Sequence, residues 1–66
     1  MIIHSLIRWQ DTDIASVMHF KTRKALVSHV AKRYGDEKAQ EFREGGNYWT
    51  NEHGFALEVI KGRMND

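Results

Sequence analysis

The first segment of the chain alternates between two sets of side chains. Between residues 2 and 9, one set is Ile3, Ser5, Ile7 and Trp9, and the other is Ile2, His4, Leu6 and Arg8. A period of two residues is typical of a β-strand, and each face of this strand would carry apolar groups. The next residues, Asp11-Thr12-Asp13, have side chains that bond the local backbone and therefore predict a turn.

Residues 14–34 permit two interpretations. At 100° per residue, one continuous helix would place Ile14 and Val17 nearly opposite Leu26 and Val30. A single amphipathic helix does not carry two opposed apolar stripes. We therefore predict a strand followed by a helix, and one long helix across the segment is the alternative.

The predicted second strand covers residues 14–21. One of its faces would carry Ile14, Ser16, Met18 and Phe20. The predicted helix, residues 23–34, begins after Thr22, whose hydroxyl can accept a hydrogen bond from a free amide of the first turn. Its apolar residues recur at i, i+4 and i+8, namely Leu26, Val30 and Tyr34. Gly35 is expected to end it, because glycine can take the left-handed conformation of a C-cap.

A second, short helix is predicted from Asp36, as its cap, through Glu44. Ala39 and Phe42 would face inward, and Gly45-Gly46 would end the helix. The two glycines are not a phosphate-binding loop, since neither a Lys-Ser/Thr pair nor a following helix accompanies them.

Residues 47–61 have the pattern of a β-hairpin. Tyr48-Trp49-Thr50 would form its first strand and residues 51–54 its turn. The second strand alternates Phe55, Leu57 and Val59 with Ala56, Glu58 and Ile60. Residues 62–66 are expected to be a frayed tail.

The element order predicts an α+β fold, in which a small antiparallel sheet carries its helices on one face. The order is β-β-α-α-β-β, or β-α-β-β if one helix spans residues 14–34. The chain, residues 1–66, is expected to be a single domain.

The small size limits the core and the kinds of site that the fold can hold. A domain of 66 residues buries only about 60% of its unfolded surface, which leaves no room for a deep substrate cavity. With no cysteine, no disulfide or thiolate zinc site can reinforce the core, so a homodimer would supplement it. No apolar run is long enough for a signal peptide or a membrane span, which predicts a cytoplasmic protein without a membrane partner.

Charge is sorted along the sequence. Residues 14–34 carry +5 and contain no acidic residue, whereas residues 1–13 carry −1 and residues 35–66 carry −3. This asymmetry predicts a basic and an acidic side, which favours association with a charged partner.

The cations of the predicted helix occupy the face opposite its apolar stripe. Lys24, Ser28 and Lys32 share this face, His29 and Arg33 flank it, and Lys21 lies just upstream. Such a surface suits phosphate groups or an acidic protein surface. Arg23 is expected at the rim of the apolar stripe, with its guanidinium in water.

Trp9, Tyr48 and Trp49 are candidate anchors for a partner, because Trp and Tyr dominate binding hot spots. Tyr48 and Trp49 would point to opposite faces of the sheet, so one of them should be exposed. An open sheet face that displays Trp9 or Trp49 could serve as a partner site or a dimer interface.

The four histidines show no metal-ligand spacing, and no motif for a cofactor, a nucleophile or paired carboxylates is present. The chain is therefore not expected to be an enzyme or to hold a metal or cofactor. An RNA-cleaving site built from His29 and His53 is the least favoured hypothesis.

We therefore expect a non-enzymatic inhibitor, modulator or adaptor that binds a larger protein complex. A complex that acts on nucleic acid would be a natural partner. The expected contact residues are Lys21, Lys24, His29, Lys32 and Arg33, with Trp9 or Trp49 as an anchor. Direct nucleic-acid binding by the same cations is the alternative. Short domains of this kind are common among phage and mobile-element products.

Overall fold

The computed structural model describes residues 2–63, which form four strands and two helices. These are β1 (Ile2–Gln10), β2 (Asp13–Phe20), α1 (Arg23–Tyr34), α2 (Asp36–Arg43), β3 (Tyr48–Thr50) and β4 (Phe55–Arg63). The order β-β-α-α-β-β confirms the predicted α+β fold. It also confirms a strand followed by a helix between residues 13 and 34, so the alternative of one long helix is wrong.

All four strands belong to one antiparallel sheet with the order β2-β1-β4-β3. The first and last strands are therefore neighbours at its centre, paired from Ile2 with Arg63 to Gln10 with Phe55. The prediction of a frayed tail is wrong for residues 62 and 63, because β1 is long enough to pair with them. The rest of that predicted tail, residues 64–66, lies outside the described residues.

One face of the sheet packs against both helices and forms the core. Leu6, Leu57 and Val59 lie on this face. The helices contribute Leu26, Val27, Val30, Ala39 and Phe42. The opposite face, here called the open face, presents Ile3, Ser5, Ile7 and Trp9 from β1 and their cross-strand neighbours on β2 and β4. The predicted alternation of β1 thus separates a core face from an open face.

A β-bulge interrupts the pairing of β1 with β2. Arg8 pairs with Ser16, but Trp9 pairs with Ile14, so Ala15 has no partner. The extra residue places Ile14 on the open face beside Trp9, whereas Ser16 is on the core face. The prediction that Ile14 shares a face with Ser16 is therefore wrong.

The ends of α1 follow the sequence closely. Thr22 Oγ1 accepts a hydrogen bond from the Ala25 amide at 3.1 Å, which confirms the predicted N-cap. Gly35 has a φ of 103° and donates its amide to Ala31 O at 3.1 Å. The same glycine precedes α2, so Asp36 is the first residue of that helix and not its cap.

Arg23 holds the end of α2 against the start of α1. Its Nε and Nη2 donate to Phe42 O at 3.1 and 3.0 Å, and Nη2 also donates to Gly46 O. Its Nη1 donates to Asn47 Oδ1 at 3.1 Å. The last carbonyls of a helix have no partner within the helix, and this guanidinium supplies one. The expectation that the Arg23 guanidinium extends into water is wrong, because its nitrogen atoms donate to oxygen atoms of the protein.

The tips of the two hairpins are tied together at one end of the sheet. The Asp11 amide donates to Gly54 O at 2.7 Å, and Gly54 has a φ of 81°. A Cβ atom at position 54 would lie 3.3 Å from Asp11 Cα and closer still to the Asp11 carboxylate. Glycine is therefore required there for both its conformation and its lack of a side chain.

We expect Gly54→Ala to lower the free energy of unfolding by about 1–3 kcal/mol, because alanine adds strain at positive φ and a clash with Asp11. Urea unfolding measures this change. Gly62→Ala is the matched control, since a Cβ at that position meets nothing within 4 Å. A loss of stability at that position of more than about 0.5 kcal/mol would argue against this explanation, whereas a gain is expected of alanine within a strand.

We expect Arg23→Gln to lower the free energy of unfolding by about 2–3 kcal/mol, since carbonyls at the end of α2 lose a charged donor. Arg33→Gln, an exposed position on the same helix, should change it by less than about 0.5 kcal/mol. Equal effects of the two substitutions in urea unfolding would contradict the role assigned to Arg23.

Candidate macromolecule-binding surface

The outward face of α1 is basic along its whole length. Burial of Leu26, Val27 and Val30 fixes the orientation of the helix, so the residues on its other side are exposed. Lys21, Lys24, Lys32 and Arg33 are all exposed, and we call these four residues the basic strip. Four of the predicted contact residues are thus exposed, three of them on α1 and Lys21 just before it, with Lys24 and Arg33 on opposite margins of the exposed side of the helix.

Within residues 2–63, the cations of the basic strip have no acidic partner within 4.0 Å. Among residues 2–63, one pair of oppositely charged groups lies within 4.0 Å, namely His53 Nε2 and Glu52 Oε1 at 3.9 Å in the β3–β4 loop. The acidic residues of α2 are Asp36 and Glu37 in its first turn and Glu41 further along, and none of them forms an ion pair with the basic strip. The positive potential of the basic strip is therefore not neutralised by an adjacent carboxylate of the described chain.

His29 is half-buried, unlike the exposed cations of the basic strip. Its ring centroid lies 5.4 Å from that of Phe20 and 6.3 Å from that of Tyr34. Tyr34 in turn contacts Phe55, which contacts Trp49. His29 is thus part of an aromatic cluster between α1 and the sheet. Its ring is therefore only partly available to a partner at the basic strip.

A shallow groove between the two helices extends the basic strip. Its lining consists of Arg23, Lys24, Val27, Ser28, Ala31 and Arg43. Arg43 of α2 was not among the predicted contact residues. Gly35, as the link between the two helices, was a signal in the sequence that α2 folds back along α1 and brings its side chains to this groove. The groove therefore combines cations with small apolar side chains.

The two tryptophans lie on opposite faces of the sheet. Trp49 is half-buried against the core, with Lys38 Nζ 4.7 Å from its ring centroid. Trp9 is half-buried on the open face, where its Nε1 donates to Glu58 Oε1 at 3.2 Å. Of the pair at positions 48 and 49, Tyr48 is the exposed one, at 53%. The aromatic candidates and the basic strip therefore do not form one continuous surface.

The histidines lie in separate elements, with His29 on α1 and His53 in the loop between β3 and β4. Within residues 2–63, no group of three or more His, Asp or Glu side chains is arranged to hold a metal ion. In the same part of the chain, neither helix is long and apolar enough to cross a bilayer.

Comparisons of the chain with protein-family models, with curated proteins and with solved structures find no match.

Proposed function

We propose that this protein is a non-enzymatic cytoplasmic binding protein, which docks through the basic strip on an acidic surface of a larger protein complex and modulates or blocks that complex. The observation that carries the proposal is the set of four exposed cations without a carboxylate partner in residues 2–63. An oppositely charged partner would satisfy them and would be steered towards them over a distance of about a Debye length.

The geometry of α1 suits a contact with an extended surface. Lys24 and Lys32 are eight residues apart, which separates them by about 12 Å along the helix axis. A partner must therefore present several acidic groups over this length to meet them. Such extended complementarity supplies association rate and specificity more than affinity, so further contacts must hold the complex together.

The groove beside the basic strip favours a protein over a nucleic acid. Ala31 is half-buried in the groove, beside Lys24 and Arg43, and can contact an apolar side chain of a partner, whereas Val27 is buried beneath it. The whole chain has a net charge of only +1, whereas dedicated nucleic-acid-binding domains are usually more basic. Direct binding of phosphates by the same four cations is the second candidate, supported by the absence of anions from this face.

Capture of partners from a nuclease-treated bacterial lysate, read by mass spectrometry, tests the proposal. We expect Lys32→Glu to weaken capture of the partner about tenfold, because a like charge is then placed against its acidic surface. Lys61→Glu makes the same change of charge at an exposed position of β4 and should capture as well as the unmodified protein.

Equal capture by the two variants would overturn the proposal, since the basic strip would then be only a solvated face. Loss of capture on nuclease treatment would instead favour the second candidate. In that case binding to a mixed-sequence DNA duplex should weaken with salt, with a log–log slope of about −3 to −4 for four phosphate contacts.

A further inference from the structure

The open face of the sheet is a broad apolar surface on the side away from both helices. Ile14, Val17 and Ile60 are exposed on it, and Ile3 and Trp9 are half-buried among them. Single exposed apolar side chains are ordinary in proteins, but a contiguous set marks an interaction surface.

The polar groups in the middle of the open face already have partners on it. Ser5 Oγ and His19 Nδ1 are hydrogen-bonded at 2.8 Å, and Trp9 Nε1 donates to Glu58 Oε1 at 3.2 Å. Burial of this face would therefore leave few unpaired polar groups, and the cost of removing water from it is reduced.

Carboxylates lie near one end of the open face. A depression near the hairpin tips is lined by two of them, those of Asp11 and Glu58, beside Trp9 and Tyr48. A second depression, at the other end of the strands, is lined on the open face by Ile3, His19 and Ile60. Among residues 2–63, the acidic groups that line these two depressions are thus both in the one at the hairpin tips.

We propose that two copies of this chain associate through their open faces, related by a two-fold axis that sets the strands of one sheet antiparallel to those of the other. This arrangement keeps the Asp11 end of each copy away from the Asp11 end of its partner, with apolar side chains of the two sheets in contact between them. A two-fold axis along the strands would instead oppose like charges, which costs association energy.

The dimensions of the open face suit a dimer whose buried area is at the small end of the range found for specific protein interfaces. Strands of nine, eight and nine residues and a fourth of three give a face of roughly 500 Å² in projection. Two copies would thus bury roughly 1,000 Å² or more in total, the area at which specific interfaces begin. Stacking of two sheets also doubles the number of layers around a thin core.

This inference does not rest on the function proposed for the basic strip, which lies on the other side of the sheet. In the dimer, the two basic strips would be on opposite outer surfaces. One dimer could then engage two acidic surfaces at once, or one surface that folds around it.

The test is sedimentation equilibrium of the purified chain between roughly 1 and 500 µM, the range expected for an interface of this size. We expect a species of twice the 7.7 kDa of one chain. Val17→Glu and Ile60→Glu should each raise the dissociation constant roughly 30-fold or more, because a carboxylate would be buried without a partner.

Met18→Glu is the matched control, because residues 17 and 18 are neighbours on β2 with exposures of 46% and 41% but lie on opposite faces. It should leave the dissociation constant within about twofold of the original. Circular dichroism establishes that each variant is folded.

A monomer throughout the concentration range would overturn the proposal, as would a dimer that Ile60→Glu does not weaken. Equal weakening by Val17→Glu and Met18→Glu would also overturn it and would indicate pairing of the two β2 edges instead.

Discussion

The antiparallel pairing of β1 with β4 joins the two ends of the chain and unites two hairpins into one sheet. Nine residue pairs link these strands, from Ile2 with Arg63 to Gln10 with Phe55. Leu6, Leu57 and Val59 reach the core only because this pairing places them side by side beneath the helices. Since the paired residues are far apart in sequence, the core depends on contacts with a high entropic cost of closure.

Much of the fold follows from local patterns, because periodicity and capping are properties of neighbouring residues. The apolar spacing and Thr22 defined α1, and opposed apolar stripes argued against one long helix. The bulge at Ala15 and the hydrogen bonds of Arg23 depend on register and on residues about twenty positions away, which periodicity does not record. The helical period set Arg23 apart from the other cations, at the rim of the apolar stripe, but did not indicate which carbonyls it binds.

The candidate surface, like the fold, was predictable where it depends on local patterns and not where it depends on tertiary contacts. The exposed cations of α1 followed from its helical period, whereas the burial of His29 and Trp49 depends on the aromatic cluster that tertiary packing assembles. The carboxylates near one end of the open face are brought together by topology. The order β2-β1-β4-β3 makes Asp11 and Glu58, residues that are distant in sequence, line one depression.

The protein thus presents different chemistry on its two sides. The core between the helices and the sheet has few large side chains, with Phe42, Leu26 and Leu57 fully buried. The helix side turns outward cations that have no carboxylate partner in residues 2–63. The open face is apolar and internally hydrogen-bonded at its centre. A charged partner and an apolar partner can therefore bind at the same time without competing for residues.

The bulge in β2 has a further consequence for how far association can proceed. Between Ile14 and Phe20 this edge strand has no charged residue, so a regular row of free backbone groups there would invite open-ended strand addition and aggregation. The bulge at Ala15 breaks that row, and the other edge strand, β3, has only three residues. Both edges thus resist the growth of fibres, and contact through the sheet face can form a closed assembly in solution.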